Sequence, residues 1–304
     1  MNDLVTDIKS LETETLKNLK TSKASNTMRA YKADYKDFAL FCIKHGFKSM
    51  PSDPKTISLY LTHLSQKSKF STLKRRLASI SVIHKLSGHY VDTKHPMITE
   101  NLMGIKRTIG SHQKAKKPLL INELKLIVNV IDKDENEKRR LKNRTLILVG
   151  FAGGFRRSEL VAINYEDIDF TKEGVKIFVK RSKTDQSGEG MTKAIPYFSN
   201  STYCPVTSLK KWIEELKIKS GRIFEMSDKS VALTIKRYVG ICGLDSNKYS
   251  GHSLRSGFAT STAELGAEER SIMAMTGHKT TQMVRRYIQE ANLFKNNALN
   301  KIKI

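Results

Sequence analysis

The sequence predicts a mainly helical protein of two domains, the second a mixed α/β unit with a small β-hairpin or sheet. Three observations carry that expectation. Apolar residues recur at three- and four-residue intervals along most of the chain, the period of a helix with one buried face. One stretch, GVKIFVKRSK (174–183), breaks that period and alternates as a strand does. A segment with basic residues, a glycine and a terminal proline, TIGSHQKAKKP (108–118), separates two helical regions and reads as a linker.

The elements follow in order. Residues 1–20 form a short amphipathic lead-in, with Leu4, Ile8, Leu11 and Leu19 near helical spacing. A helical domain spans 21–107. In SNTMRAYKADYKDFALFCIKHG (25–46), Ala30, Tyr31, Tyr35, Phe38 and Phe41 or Cys42 share a face. Ser25 or Asn26 caps the start of that helix, and Gly46 stands where a left-handed terminal residue belongs. Two amphipathic helices follow at about 54–66 and 71–87, the second closed by Gly88.

The second domain covers 119–291. It opens with a helix near 121–131, and another runs from about Lys138 through LILVGFAGG to Gly153 and Gly154. In 174–183, Val175, Ile177 and Val179 point one way and Lys176, Phe178 and Lys180 the other. TDQSGEG is turn chemistry and MTKAIPYF (191–198) a returning strand, so Lys183 sits at a hairpin tip. Helices are expected at about 205–217, 228–242, 252–265, 267–276 and 280–290, with Gly243, Gly266 and Gly277 ending three of them. The tail, 292–304, carries Leu293, Phe294, Leu299 and Ile302, exposed unless they find a groove.

Composition narrows the partners. The 304 residues hold 54 Lys and Arg against 30 Asp and Glu, a net charge of +24, which favours a polyanion. A hydrophobic content of 39% suffices for packed cores. No apolar stretch approaches the ~18 residues of a spanning helix, so no membrane partner is expected. The start, MNDLVTDIKSLETE, is polar and mixed in charge, unlike a secretory signal. Cys42, Cys204 and Cys242 are odd in number and far apart, which suits free thiols in a reducing interior. His84, His89 and His95 lack partners at zinc-binding intervals, and no metal or cofactor is expected.

The chemistry lies in the last two thirds. Arg156, Lys183, His252, Arg255, His278 and Tyr287 occur in that order, inside GFRRSEL (154–160), RSKTDQ (181–186), SGHSLRSGFAT (250–260) and TGHKTTQMVRRYI (276–288). To cleave a phosphodiester, a site must neutralise the charge of the pentavalent phosphorus and protonate a poor leaving oxygen. Arginine suits the first task, because its planar fork binds two oxygens and keeps its charge. His252 and Arg255 are three apart on one helix face, at an N-terminus whose free N–H groups favour an anion. Lys183 on a hairpin is suited to be the general acid, provided its pKa falls from ~10.4 under the influence of the arginines. Tyr287 is the candidate nucleophile. A phenol of pKa ~10 needs a proton acceptor at neutral pH, and His252 is the candidate. Taken singly, each piece has an ordinary reading: a helix-end arginine, any hairpin, a capped surface helix, a tyrosine packed among arginines. Their order and joint occurrence weigh against that.

These four frames together resemble the tyrosine recombinase/integrase family (phage integrase, Xer- and Cre-like), over roughly 21–295. The resemblance implies a two-domain DNA clamp: a SAM-like helical core-binding domain (21–107), the linker (108–118) and a tyrosine recombinase catalytic domain (119–291). It implies a site-specific recombinase that cuts and rejoins duplex DNA through a 3′-phosphotyrosyl link and a Holliday junction, without ATP or metal. Glu159 would support the active site rather than act chemically. Histidine at 278 follows the Xer-type and phage integrase pattern rather than Cre. Arg157 departs from the aliphatic residue common after the first arginine, and the register to Ser158-Glu159-Leu160 assigns the phosphate to Arg156. The implied partners are double-stranded DNA and a homotetramer on two sites, with a hetero-partner recombinase or a directionality factor left open, in a bacterial cytoplasm at the nucleoid. The tail would either pass to a neighbouring protomer or fold back on its own domain. DNA contacts are expected from Lys74, Arg75 and Arg76, from Lys114, Lys116 and Lys117, and from Arg181 and Lys279. Two alternatives stay open: type IB topoisomerase-like cleavage and religation, and an inactive DNA-binding accessory protein.

Overall fold

The computed structural model describes residues 7–21, 24–112, 115–182, 185, 188–292 and 298–302. The chain divides into two compact units, Met1–Lys114 and Ala115–Ile304.

The first unit is helical. After α1 (Ile8–Thr21) come α2 (Ser25–Lys44), α3 (Pro54–Ser65), α4 (Phe70–Leu86) and α5 (Pro96–Ile109). Local sequence sets several starts: the Asp53 carboxylate accepts from Thr56 N at 2.9 Å, and Pro54 and Pro96 occupy first helical turns. The apolar stripes of α2–α5 meet in one core of Phe38, Ile57, Tyr60, Leu61, Leu73, Ile80, Ile98 and their neighbours. Buried Asp34 on α2 is held from α4 by Arg75, Arg76 and Ser79, so a carboxylate that would be costly alone is paired. α5 extends two residues into the segment expected as linker, and Gly110, at φ +72°, follows its last residue.

The second unit is built around α7 (Glu137–Ala152), whose residues from Thr145 to Ala152 are all buried. A helix surrounded on all sides must satisfy its polar groups internally. Asn143 Nδ2 donates to the Tyr238 hydroxyl at 2.9 Å, and Thr145 Oγ1 donates to Ser208 O at 2.9 Å. α6 (Ile121–Ile131), α9 (Pro205–Glu215), α10 (Asp228–Ile241) and α11 (Ser253–Glu264) pack around it. The antiparallel sheet has the order β1 (Ile168–Phe170), β2 (Gly174–Val179), β3 (Met191–Pro196), with Val175 opposite Ile195 and Val179 opposite Met191. The alternation of β2 is as expected, with Val175, Ile177 and Val179 buried and Lys176 and Phe178 exposed. β1 and the single turn α8 (Arg157–Leu160) are additions, too short to show a period. α12 (Glu269–Thr276) and α13 (Thr281–Asn292) complete the unit, and both pack on α11. Cys42 and Cys204 are buried, Cys242 is partly buried, and all three are free thiols.

Candidate active site

The ends of α7, α11 and α12 and the face of α13 deliver the chemistry-bearing residues. α7 ends at Ala152, and the chain turns through Gly153 and Gly154 to Arg156, the N-cap of α8. Arg156 is fixed by Glu159 twice: its backbone N–H donates to Oε2 at 3.0 Å and Nη1 to Oε1 at 2.5 Å. Glu159 is buried, so these two bonds tie the arginine to the interior.

α11 follows directly on His252, which occupies its N-cap position, and carries Arg255 in its first turn. Arg255 is only 1% exposed. Nη1 donates to Gly154 O at 2.9 Å, whereas Nε and Nη2 have no hydrogen-bond partner among the described residues. Burial and the nearby Arg156 push its pKa down to about 10. A buried cation with two open N–H groups is costly, and a bound anion relieves both the charge and the unmet donors.

α12 closes with Gly277 in the left-handed conformation, φ +63°, and the chain turns out to His278. His278 is 6% exposed, and its Nδ1 lies 2.7 Å from Thr276 Oγ1. The same hydroxyl lies 2.6 Å from Ile272 O, to which it must donate. It therefore accepts from His278 Nδ1–H, which leaves Nε2 of the neutral ring as the lone-pair atom. Desolvation, with Arg255, Arg156, His252 and Lys193 nearby, pushes the His278 pKa down to about 4.

α13 carries Tyr287 against α11 and α12, where it packs on a small cluster of Ala259, Ala263, Ile272 and Val284. Its hydroxyl is 3.3 Å from Nε2 of His252, and its ring is 6.1 Å from that of His278. α13 is docked on both α11 and α12. Desolvation and the charges of Arg255, Arg156 and Arg157 lower the His252 pKa, although the residue is exposed.

Arg157 turns out to have a partner of its own. Its stem crosses Gly251, where a Cβ would meet Arg157 Cδ at 1.9 Å, so only glycine allows the approach. Its Nη2 reaches Asp228 Oδ2 at 3.7 Å. Arg156 and Arg157 thus separate into one arginine bound to Glu159 and one lying over the His252 turn.

Lys183 lies outside the described residues, as does Lys114. Beside that tip, Asp185 gathers the backbone N–H groups of Gly188, Glu189 and Gly190, which folds the turn. Among the residues expected to touch DNA, Lys74, Lys116, Arg181 and Lys279 are exposed. Lys116 Nζ also donates to Asn247 O. Arg75 and Arg76 pair with Asp34, and Lys117 pairs with Glu123 at 2.7 Å, so these three also serve the packing of their own units.

Lys193 was not anticipated. It alternates with Ile195 on the buried face of β3, and a lysine at a core-facing strand position was the available signal. Burial, against the pull of Glu159 and with Arg255 and Arg156 nearby, pushes its pKa down to about 7.

Comparison with known proteins agrees with this geometry. The phage integrase family profile matches residues 117–293. The chain is 42% identical to an integrase/recombinase XerD homolog of Selenomonas ruminantium, covering 94% of this chain and 88% of that one. It is 26% identical to a tyrosine recombinase XerC of Myxococcus xanthus, covering 90% of each. The fold resembles that of the XerH site-specific recombinase bound to a palindromic difH substrate, with TM-score 0.61, 18% identity, and 81% and 73% of the two chains covered. It also resembles a lambda integrase dimer bound to a COC′ core site, with TM-score 0.59, 19% identity, and 98% and 80% covered. With the family profile spanning more than half its length and a relative at 42% identity over nearly all of it, the chain belongs to the phage integrase family, the site-specific tyrosine recombinases.

Proposed function

We propose that this recombinase cuts and rejoins duplex DNA with Tyr287 as nucleophile. The observation that carries this reading is the 3.3 Å approach of the Tyr287 hydroxyl to His252 Nε2, beside a buried arginine with two open donors. Arg156 and Arg255 hold the nonbridging oxygens of the scissile phosphate and offset the charge that grows on them. Tyr287 Oη attacks phosphorus, and its proton passes to Nε2 of His252. The bond to the 5′ oxygen breaks, and that oxygen takes a proton from Lys183. The 3′-phosphotyrosyl link conserves the energy of the broken bond, so the 5′-hydroxyl of a second strand reverses the step without ATP. Exchange of both strand pairs in turn passes through a Holliday junction.

The first unit serves as core-binding domain and the second as catalytic domain, joined at 108–118 and closing on DNA as a clamp. Lys74, Lys116, Arg181 and Lys279 meet the phosphate backbone, so affinity falls steeply with salt. The active assembly is a homotetramer on two sites. Among the described residues no helix is long and apolar enough to cross a membrane; a DNA substrate places the protein at the nucleoid.

The test is a covalent trap. The protein is incubated with nicked genomic fragments and denatured, and protein-linked DNA is sequenced, with Tyr287→Phe as control. Recurrent junctions flanked by inverted repeats, absent from the control, are the expected result. Scattered junctions would instead indicate topoisomerase-like activity, and DNA binding without any adduct would indicate an accessory protein.

A further inference from the structure

Lys193 has no part in the chemistry above, yet its ammonium group sits where the two halves of the site meet. Its side chain is fully buried. Nζ donates to Gly153 O at 2.7 Å and to Met275 O at 2.6 Å, lies 3.9 Å from Glu159 Oε2, and stands 4.5 Å over the Phe155 ring. The Gly153 carbonyl belongs to the turn that ends α7 and leads to Arg156. The Met275 carbonyl is in the last turn of α12, three residues before His278. Both are among the carbonyls a helix end leaves without an intrahelical partner. One side chain therefore satisfies two helix ends and touches the carboxylate that fixes Arg156.

Packing alone does not account for lysine here. A buried ammonium is costly to desolvate, and an apolar side chain of similar volume would fill the space at lower cost. What the apolar chain would lack is donors for the two carbonyls. Lysine supplies them whether charged or neutral, since even the amine keeps two N–H groups.

We propose that Lys193 is a positioning residue that latches the Arg156 turn to the His278 turn, fixing the two sides of the site relative to each other. The inference rests on the reading of the site given above, but its structural half can be tested without DNA.

The experiment uses the full-length protein as wild type, K193M and K193R. Hydrogen exchange by mass spectrometry follows segments 153–156 and 275–278. Adduct formation is followed in a single turnover on a nicked duplex carrying the junction recovered from the wild type. In K193M both turns are expected to exchange at least about tenfold faster while α7 and the sheet keep their protection. The adduct rate at saturating DNA should drop by about 100-fold with DNA affinity unchanged. K193R, whose fork can span two carbonyls, should restore protection and bring the rate to within about threefold of wild type. Wild-type exchange in both K193M turns, loosening of only one turn, or a rate loss matched by weaker DNA binding overturns the latch. So does loss of protection across the whole catalytic unit. If K193M does not fold, K193Q, which keeps donors without the charge, enters the same comparison. If the wild type forms no adduct on any duplex, the reading of the site fails, and the exchange data still decide the latch.

Discussion

The hydroxyl of Tyr287 lies 3.3 Å from Nε2 of His252, although 35 positions separate them in sequence. The contact exists because α13 lies along α11, so the proposed nucleophile and proton acceptor belong to one chain. His252→Gln keeps a polar side chain and removes the titrating ring. It is expected to slow adduct formation by about 10²- to 10⁴-fold while DNA retention in a shift assay stays the same. Equal rates would remove His252 from the proton transfer.

The pH dependence follows from the same ring. His252 is held below its ordinary pKa, so it is already neutral, and able to accept a proton, at pH 7. The adduct rate should be flat from neutral pH upward until another group titrates, and should fall only below the usual histidine range of ~6.5. Arg157→Leu removes one of the charges that depress the pKa. It is expected to move the acid limb of the profile toward higher pH, with little change in rate at pH 8. An unmoved limb would mean that Arg157 serves Asp228 alone.

Thr276 fixes the tautomer of His278 by donating to Ile272 O and accepting from Nδ1–H. Thr276→Val removes both links. Nitrogen chemical shifts of His278 should then show the proton redistributed toward Nε2, with a loss of about 1–3 kcal/mol in unfolding free energy for the unmet polar groups. Retention of the Nδ1–H form would refute the assignment.

His278 also makes the fold sensitive to acid. Its folded pKa of about 4 lies below the unfolded value of ~6.5, so the unfolded chain binds more protons between those limits. Stability should be highest above pH ~6.5 and decline as pH falls toward 4, by up to about 3 kcal/mol from this group. Urea titrations of wild type and His278→Asn across that window should converge at low pH.

Much of this site was legible because its pieces are local. GFRRSEL, SGHSLRSGFAT and TGHKTTQMVRRYI each place a charged or titratable residue at a helix end, and helix ends can be read from caps and glycines. The β2 alternation was equally local. What escaped notice depends on distant contacts: Arg157 reaching Asp228, Lys193 joining α7 to α12, and Arg75 and Arg76 pairing with Asp34. Nothing near those residues in sequence names the partner. Lys193 did leave a trace, since period two puts it beside Ile195 on the face of β3 that must be buried.

Arg255 tests whether the site is kept at a cost to the fold. Two of its buried N–H groups have no partner among the described residues, so Arg255→Met should leave the unfolding free energy equal to or above that of wild type. The same change should lower adduct formation by more than about 10³-fold. A large loss of stability would show that the arginine is structural.

The most direct measurement is the chemical identity of the link. Adducts trapped on nicked duplex are digested with protease and nuclease, and the peptide that carries the nucleotide is sequenced by tandem mass spectrometry. The account predicts one modified residue, Tyr287, joined to a 3′-phosphate. A nucleotide on any other side chain, or one joined through a 5′-phosphate, would contradict it.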